Sequence, residues 1–236
     1  MLLTVIVPVF NEEARILEAL KLIRACDFID QVIVVNDGSD DGTKIIIEKF
    51  IDKNSKFNLV SHDKNYGKGK AVRTALEFCS SQFIAIQDAD LEYNPQELKK
   101  LLDPLNSNLA DVVYGSRFIG SEPRSVHLYW HSIANKLLTS FTNIFTNLNL
   151  TDMEVCQKMF RNSLVQRIEL KENGFGIEPE LTVKFARAGA RFYEVGISYK
   201  GRTYTEGKKI KWIDAFVAIY CIVVYSLLPK KYWMDR

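Results

Sequence analysis

An α/β fold with a largely parallel sheet is predicted by three features: short β-rich apolar runs alternate with helical patterns, the loops after those runs carry Gly, Asp and Asn, and 47% of the 236 residues are hydrophobic. Strands alternating with helices imply βαβ units. A chain of this length can bury a sizeable core as one domain or as a domain with an appendage, and the pattern here reads as one domain with a C-terminal appendage. Strands are expected at 4–9, 31–35, 58–61, 83–87 and 111–114, and helices near 12–25, 43–53 and 70–79. In such sheets ligands bind beyond the carboxyl ends of the strands, so the loops that follow strands should carry the chemistry.

Composition narrows the class. With 31 basic and 29 acidic residues the formal charge is +2, which gives no general pull toward nucleic acid. Cys26, Cys79, Cys156 and Cys221 lie far apart, against a zinc site or disulfide framework and in keeping with a reducing compartment. The first residues have no basic n-region, and their apolar run is too short for a secretory signal, so they read as a strand.

The most telling loop is Gln87-Asp88-Ala89-Asp90-Leu91-Glu92, which closes the run Phe83-Ile84-Ala85-Ile86. Residues two apart on extended backbone face the same side, so Asp88 and Asp90 can converge on one divalent cation. Mg²⁺ held by one or two carboxylates keeps positions open for substrate phosphates. Acidic residues at strand ends also form turns and cap helices, so this loop needs support from others.

That support comes from three further loops. In Pro8-Val9-Phe10-Asn11-Glu12-Glu13, Pro8 should end ladder pairing and Phe10 offers a flat floor for a base, while Asn11 equally suits a helix N-cap. In Asn36-Asp37-Gly38-Ser39, Asp37 can accept hydrogen bonds from a base or ribose, although Asp-Gly is equally a turn signal. Asn65-Tyr66-Gly67-Lys68-Gly69-Lys70 can bring backbone and ammonium groups to phosphates ahead of a helix; it is not a Walker A loop, because Ala71 stands where Ser or Thr belongs. Arg117, after the run 111–114, can grip a phosphate bidentately or pair with a structural carboxylate.

These segments, with Gly115-Ser116-Arg117-Phe118 and Thr151-Asp152-Met153-Glu154-Val155-Cys156, occur in an order that resembles the inverting glycosyltransferases of family 2, with a GT-A type fold, and among them the polyprenyl-phosphate (dolichol-phosphate) mannosyl- and glucosyltransferases. The resemblance implies one catalytic domain over 1–212, with a nucleotide-sugar half (1–120) and an acceptor half (121–212), followed by an apolar helix and basic, aromatic tail over 213–236. Pro8, Phe10, Glu12, Asp37, Lys68, Asp88, Ala89 and Asp90 would bind a UDP- or GDP-linked sugar. Asp88, Asp90 and Glu92 would hold Mg²⁺ or Mn²⁺, with Glu92 standing where the mannosyltransferases usually carry Gln; Asn36 likewise replaces a frequent Asp. Arg117, Arg202 and Lys208, with Lys209, would contact phosphates of donor and acceptor. Asp152 matches the place of a catalytic base, and Asp90, Asp152 and Arg117 form the catalytic set.

The expected reaction is transfer of mannose or glucose, with inversion, to a dolichyl or undecaprenyl phosphate. An ionised phosphate oxygen needs little proton abstraction, so Asp152 can instead orient sugar or acceptor. Two other readings stay open: a hydroxyl acceptor, for which Asp152 would be a required base, and a non-catalytic nucleotide-sugar-binding subunit of a membrane assembly. The apolar stripe over 127–150 and the apolar run 215–228, followed by Pro229, Lys230, Lys231, Tyr232 and Trp233, predict peripheral contact with the cytoplasmic face of a membrane or helices packed on the domain. A membrane-protein partner or homo-oligomer is compatible with either.

Overall fold

The structure is a computed structural model that describes residues 1–51, 56–120, 125, 129–201 and 212–234. Among these, one sheet contains β1 (Leu3–Val9), β2 (Gln31–Asn36), β3 (Phe57–Ser61), β4 (Phe83–Ile86), β5 (Val112–Ser116), β6 (Lys158–Arg161) and β7 (Phe192–Gly196). Their spatial order is β3-β2-β1-β4-β6-β5-β7. The helices are α1 (Ile16–Arg24), α2 (Thr43–Ile51), α3 (Lys68–Leu76), α4 (Leu98–Asn106), α5 (Tyr129–Thr146), α6 (Asn162–Val165), α7 (Ile177–Arg187) and α8 (Trp212–Leu227).

Strands β1, β2 and β4 are almost wholly buried, which is why they read as continuous apolar runs rather than alternating ones. Their side chains join those of Leu20, Ile23, Ala71 and Val72 in the main core. Pro8 does not end the ladder, since it pairs in register with Val35 and Val9 pairs with Asn36. It is tolerated because even-numbered residues of β1 turn their polar groups toward β4, whose pairing stops at Ile6–Ile86. The missing N–H of Pro8 therefore faces no strand.

β1–β4 are mutually parallel, and β5 is parallel to β7. β6 runs antiparallel to both β4 and β5. That reversal brings the chain entering β6, residues 151–157, to the edge where the other strands end. The segments β6, α7 and β7 have no counterpart in the expectations above, because β6 is four residues with a charge at each end and announces no apolar run.

The C-terminal helix α8 lies against α5 and α7. Its inner side chains Cys221, Ile222 and Tyr225 are buried with Met153 and Val183 in a second, smaller cluster. Its outer side chains Phe216 and Tyr220 are each 62% exposed. No helix among the described residues is long and apolar enough to cross a membrane. The four cysteines form no disulfide, and burial pushes the Cys26 thiol up to about 11.

Candidate active site

The loop after β1 is laced to the loop after β2. Asn11, at φ 49, does not cap α1; its side chain donates to Asp40 Oδ1 and accepts from the Asp40 N–H. Glu13 accepts from the Gly42 N–H at 3.0 Å, and the Glu12 N–H donates to Thr43 Oγ1 at 2.9 Å. These bonds set Phe10, half-buried, beside the end of β2.

Asp37 is buried and organises the neighbouring loop. Its Oδ1 accepts from the Tyr66 N–H at 3.0 Å and lies 2.7 Å from His62 Nδ1, while Oδ2 accepts from the Gly67 N–H at 2.7 Å. His62 Nε2 sits 3.0 Å from Thr74 Oγ1 on α3. The amides of this loop thus bind a carboxylate of the protein itself. Its glycines serve close packing: a Cβ on Gly69 would meet the Glu172 carbonyl oxygen at 2.4 Å. Gly38, at φ 68, lets the β2 turn approach the Lys64 backbone, where a Cβ would come within 2.2 Å.

Lys68 opens α3 and turns inward. Its Nζ lies 3.0 Å from Asp88 Oδ1, 3.1 Å from Asp88 Oδ2 and 3.0 Å from Glu178 Oε1. Burial opposes its charge, but Asp88 and Glu178 outweigh that and hold the ammonium protonated well above its ordinary range. Glu178, in the first turn of α7, also pairs with fully buried Lys158 of β6. Lys158 donates further to the Met153 carbonyl at 2.9 Å, which ties the charged row to the β6 approach.

Asp90 accepts from the Glu92 N–H at 3.1 Å, across Leu91 in the left-handed region at φ 65. Such backbone costs energy in a non-glycine residue and collects at functional sites. Ala89, between the two aspartates, is buried. Glu92, expected as a third ligand, accepts from the Tyr199 hydroxyl at 2.9 Å through Oε2. Among the described residues no three Asp, Glu, His or Cys side chains gather closely enough to hold a metal ion. Asp88 and Asp90 do fit a hard divalent cation: both are partly exposed carboxylates at one strand end, and the Lys68 ammonium on both oxygens of Asp88 already marks a place for positive charge.

On the other side of β4, Asp152 is fully buried and gripped by Arg117 through two parallel hydrogen bonds, each 2.7 Å. The Arg117 N–H and Asn135 Nδ2 add bonds of 3.1 Å each. Burial pushes the Asp152 carboxyl up, but the Arg117 charge and these bonds outweigh it and hold the group below its usual range. A carboxylate so stabilised is a weak base, so the expected base position is occupied by an ion pair. Arg202, Lys208 and Lys209 lie outside the described residues. Sequence reasoning missed His62, Asn135, Lys158, Glu178 and Tyr199; none belongs to a local motif, and each acts on a partner distant in the chain.

Comparisons with known proteins bear on the fold and the family. The sequence profile for glycosyl transferase family 2 matches residues 4–169. An undecaprenyl-phosphate 4-deoxy-4-formamido-L-arabinose transferase of Aeromonas hydrophila is 27% identical, covering 88% of this chain and 62% of its own. A dolichyl-phosphate beta-glucosyltransferase of Trichomonas vaginalis, ALG5D, is 26% identical, covering 87% of this chain and 67% of its own. The chain thus spans about two-thirds of the length of these relatives. Glucosyl-3-phosphoglycerate synthase from Mycobacterium tuberculosis, solved with uridine diphosphate, superimposes with a TM-score of 0.75 at 19% identity over 97% of this chain and 81% of that one. The shared architecture is the GT-A fold, and with the profile match spanning most of its length the chain belongs to glycosyl transferase family 2.

Proposed function

We propose that this protein transfers one hexosyl group, mannose or glucose, from a UDP- or GDP-linked sugar to a polyprenyl phosphate, with inversion at the anomeric carbon. The observation that carries the reading is the meeting, along one sheet edge, of the Asp88/Asp90 carboxylates beside Lys68 with the Arg117–Asp152 pair across β4. One end suits a nucleoside diphosphate and its cation, the other an acceptor phosphate. Mg²⁺ or Mn²⁺ held by Asp88 and Asp90 would supply Lewis-acid neutralisation of charge on the leaving diphosphate.

Lys68, with Glu178 as its second anchor, stays near the diphosphate and adds a positive charge there. Arg117 presents a guanidinium to the acceptor phosphate while Asp152 keeps it oriented. In the single displacement an acceptor phosphate oxygen forms the new bond to the anomeric carbon. The bond to the nucleoside diphosphate breaks, its electron pair leaving on the diphosphate oxygen. No base is required, because the attacking oxygen is already ionised, and this accords with a weakly basic Asp152.

A lipid acceptor also accounts for the outer faces of α5 and α8, which pack together yet leave Trp130 75%, Ile144 77% and Phe216 62% exposed, with Lys230 and Lys231 exposed just beyond. Apolar and aromatic side chains beside lysines suit the anionic interface of the cytoplasmic leaflet. The test is incubation with Mn²⁺ or Mg²⁺, a short polyprenyl phosphate and a panel of labelled UDP- and GDP-sugars. Label entering the organic phase, lost on chelation and in Asp90→Ala, is the expected result; nucleotide-sugar binding without lipid labelling would overturn the acceptor assignment.

A further inference from the structure

Glu154 has a carboxyl group that the fold does not complete. It follows Asp152 by two residues, in the turn entering β6, and its Oε1 is buried with no hydrogen-bond donor among the described residues. The charged groups that act on it are Lys158, Glu178, Arg117 and Asp152. It is therefore close both to the row that leads through Glu178 and Lys68 to Asp88 and to the Arg117–Asp152 ion pair. Asn135, whose amide N–H₂ donates to Asp152, has an Oδ1 that also lacks a donor among the described residues. Two acceptor oxygens close to Asp152 thus lack donors among the described residues.

A buried polar oxygen left without a partner is costly, so native structures fill such positions with a ligand group or water. On the reading given under Proposed function, the group that lies between diphosphate and acceptor is the sugar being transferred, which is rich in hydroxyl donors. We propose that Glu154 is a sugar-recognition residue, its Oε1 accepting a hydrogen bond from a hydroxyl of the transferred glycosyl group, with Asn135 Oδ1 as a second acceptor beside it. Burial pushes the Glu154 carboxyl up to about 7, partly offset by Lys158, in keeping with an oxygen that lacks its donor until the sugar arrives.

Calorimetric titration of the full chain with UDP, UDP-glucose, GDP and GDP-mannose, in Mn²⁺, tests the contact through binding alone. Glu154→Ala is expected to weaken the nucleotide sugar by about tenfold or more while free nucleotide stays within about twofold of wild type. Glu154→Gln, whose amide oxygen still accepts, should keep most of the affinity. Because Oε1 has no donor among the described residues, the melting temperature of Glu154→Ala should change little. Unchanged nucleotide-sugar affinity in Glu154→Ala, or an equal loss for sugar and free nucleotide, would overturn the assignment. Lipid labelling measured on the same preparations separates the two readings: no transfer to polyprenyl phosphate with the Glu154 effect intact removes the lipid acceptor and leaves the sugar contact standing.

Discussion

Arg117 and Asp152, separated by 35 residues in the chain, meet as a planar two-point ion pair with Nε–Oδ2 and Nη2–Oδ1 both at 2.7 Å. Arg117 comes from the end of β5 and Asp152 from the approach to antiparallel β6, so the pair exists only because β6 reverses direction between β4 and β5. Tyr199 lies under the guanidinium, 5.2 Å from ring centre to Cζ.

Breaking this pair from one side should be costly. Arg117→Met leaves a buried carboxylate uncompensated, at a cost of about 3–5 kcal/mol, whereas Arg117→Met with Asp152→Leu should cost less than the sum of the singles. Urea unfolding of the four proteins gives the coupling directly. The pH dependence has a definite sign: Asp152 has its carboxyl held down in the fold, so its stabilisation is fully present above the ordinary carboxylate range and is lost as pH falls through the folded value. Wild type should therefore lose more stability than Asp152→Asn on acidification below about pH 4.

Asp37→Ala should loosen the 65–67 loop. It removes the acceptor of the Tyr66 and Gly67 amides and the partner of His62 at once. The expected loss is about 1–3 kcal/mol for the stranded donors, with weaker nucleotide binding because the loop no longer holds its place beside β2. Melting temperature and UDP affinity should fall together, and intact UDP affinity in a destabilised variant would separate loop order from nucleotide contact.

Lys158→Met should destabilise through Glu178. The ammonium is fully buried and donates to the Met153 and Val155 carbonyls as well as to Glu178. Its removal leaves Glu178 with Lys68 as its cationic partner, which should cost roughly 3 kcal/mol and displace Lys68 from Asp88. Unfolding curves measure the first effect. A changed Mn²⁺ affinity, read by spin resonance without any substrate, measures the second.

Trp130→Asp and Phe216→Asp should reduce sedimentation with anionic vesicles while leaving UDP affinity unchanged. Both side chains are mostly exposed, so neither change removes core packing. Their wild-type counterpart should bind phosphatidylserine-containing vesicles in preference to neutral ones, and weaker at high salt if Lys230 and Lys231 contribute.

Much of the nucleotide half was legible in the chain because its information is local. The buried runs that became β1, β2 and β4 could be read without partners, and Asp88 and Asp90 could be placed at a strand end from the apolar run before them. The Asn65–Lys70 loop was recognised as special, yet its glycines answer to the backbone of 172–174 and its amides to Asp37, neither of which is near in sequence. Pro8 misled for the same reason: whether its missing donor matters depends on where β4 stops.

The sequence by itself determined the alternating α/β frame, the loops that would bear chemistry and the acidic pair after β4, since periodicity and turn chemistry act over a few residues. Tertiary structure alone decided which charges meet. Lys68 goes to Asp88 and Glu178, Glu92 goes to Tyr199, and Asp152 goes to Arg117 rather than standing as an available base. Long-range pairing of buried charges depends on strand order and direction, and the antiparallel strand β6, too short and too charged to announce itself, sets both for this site.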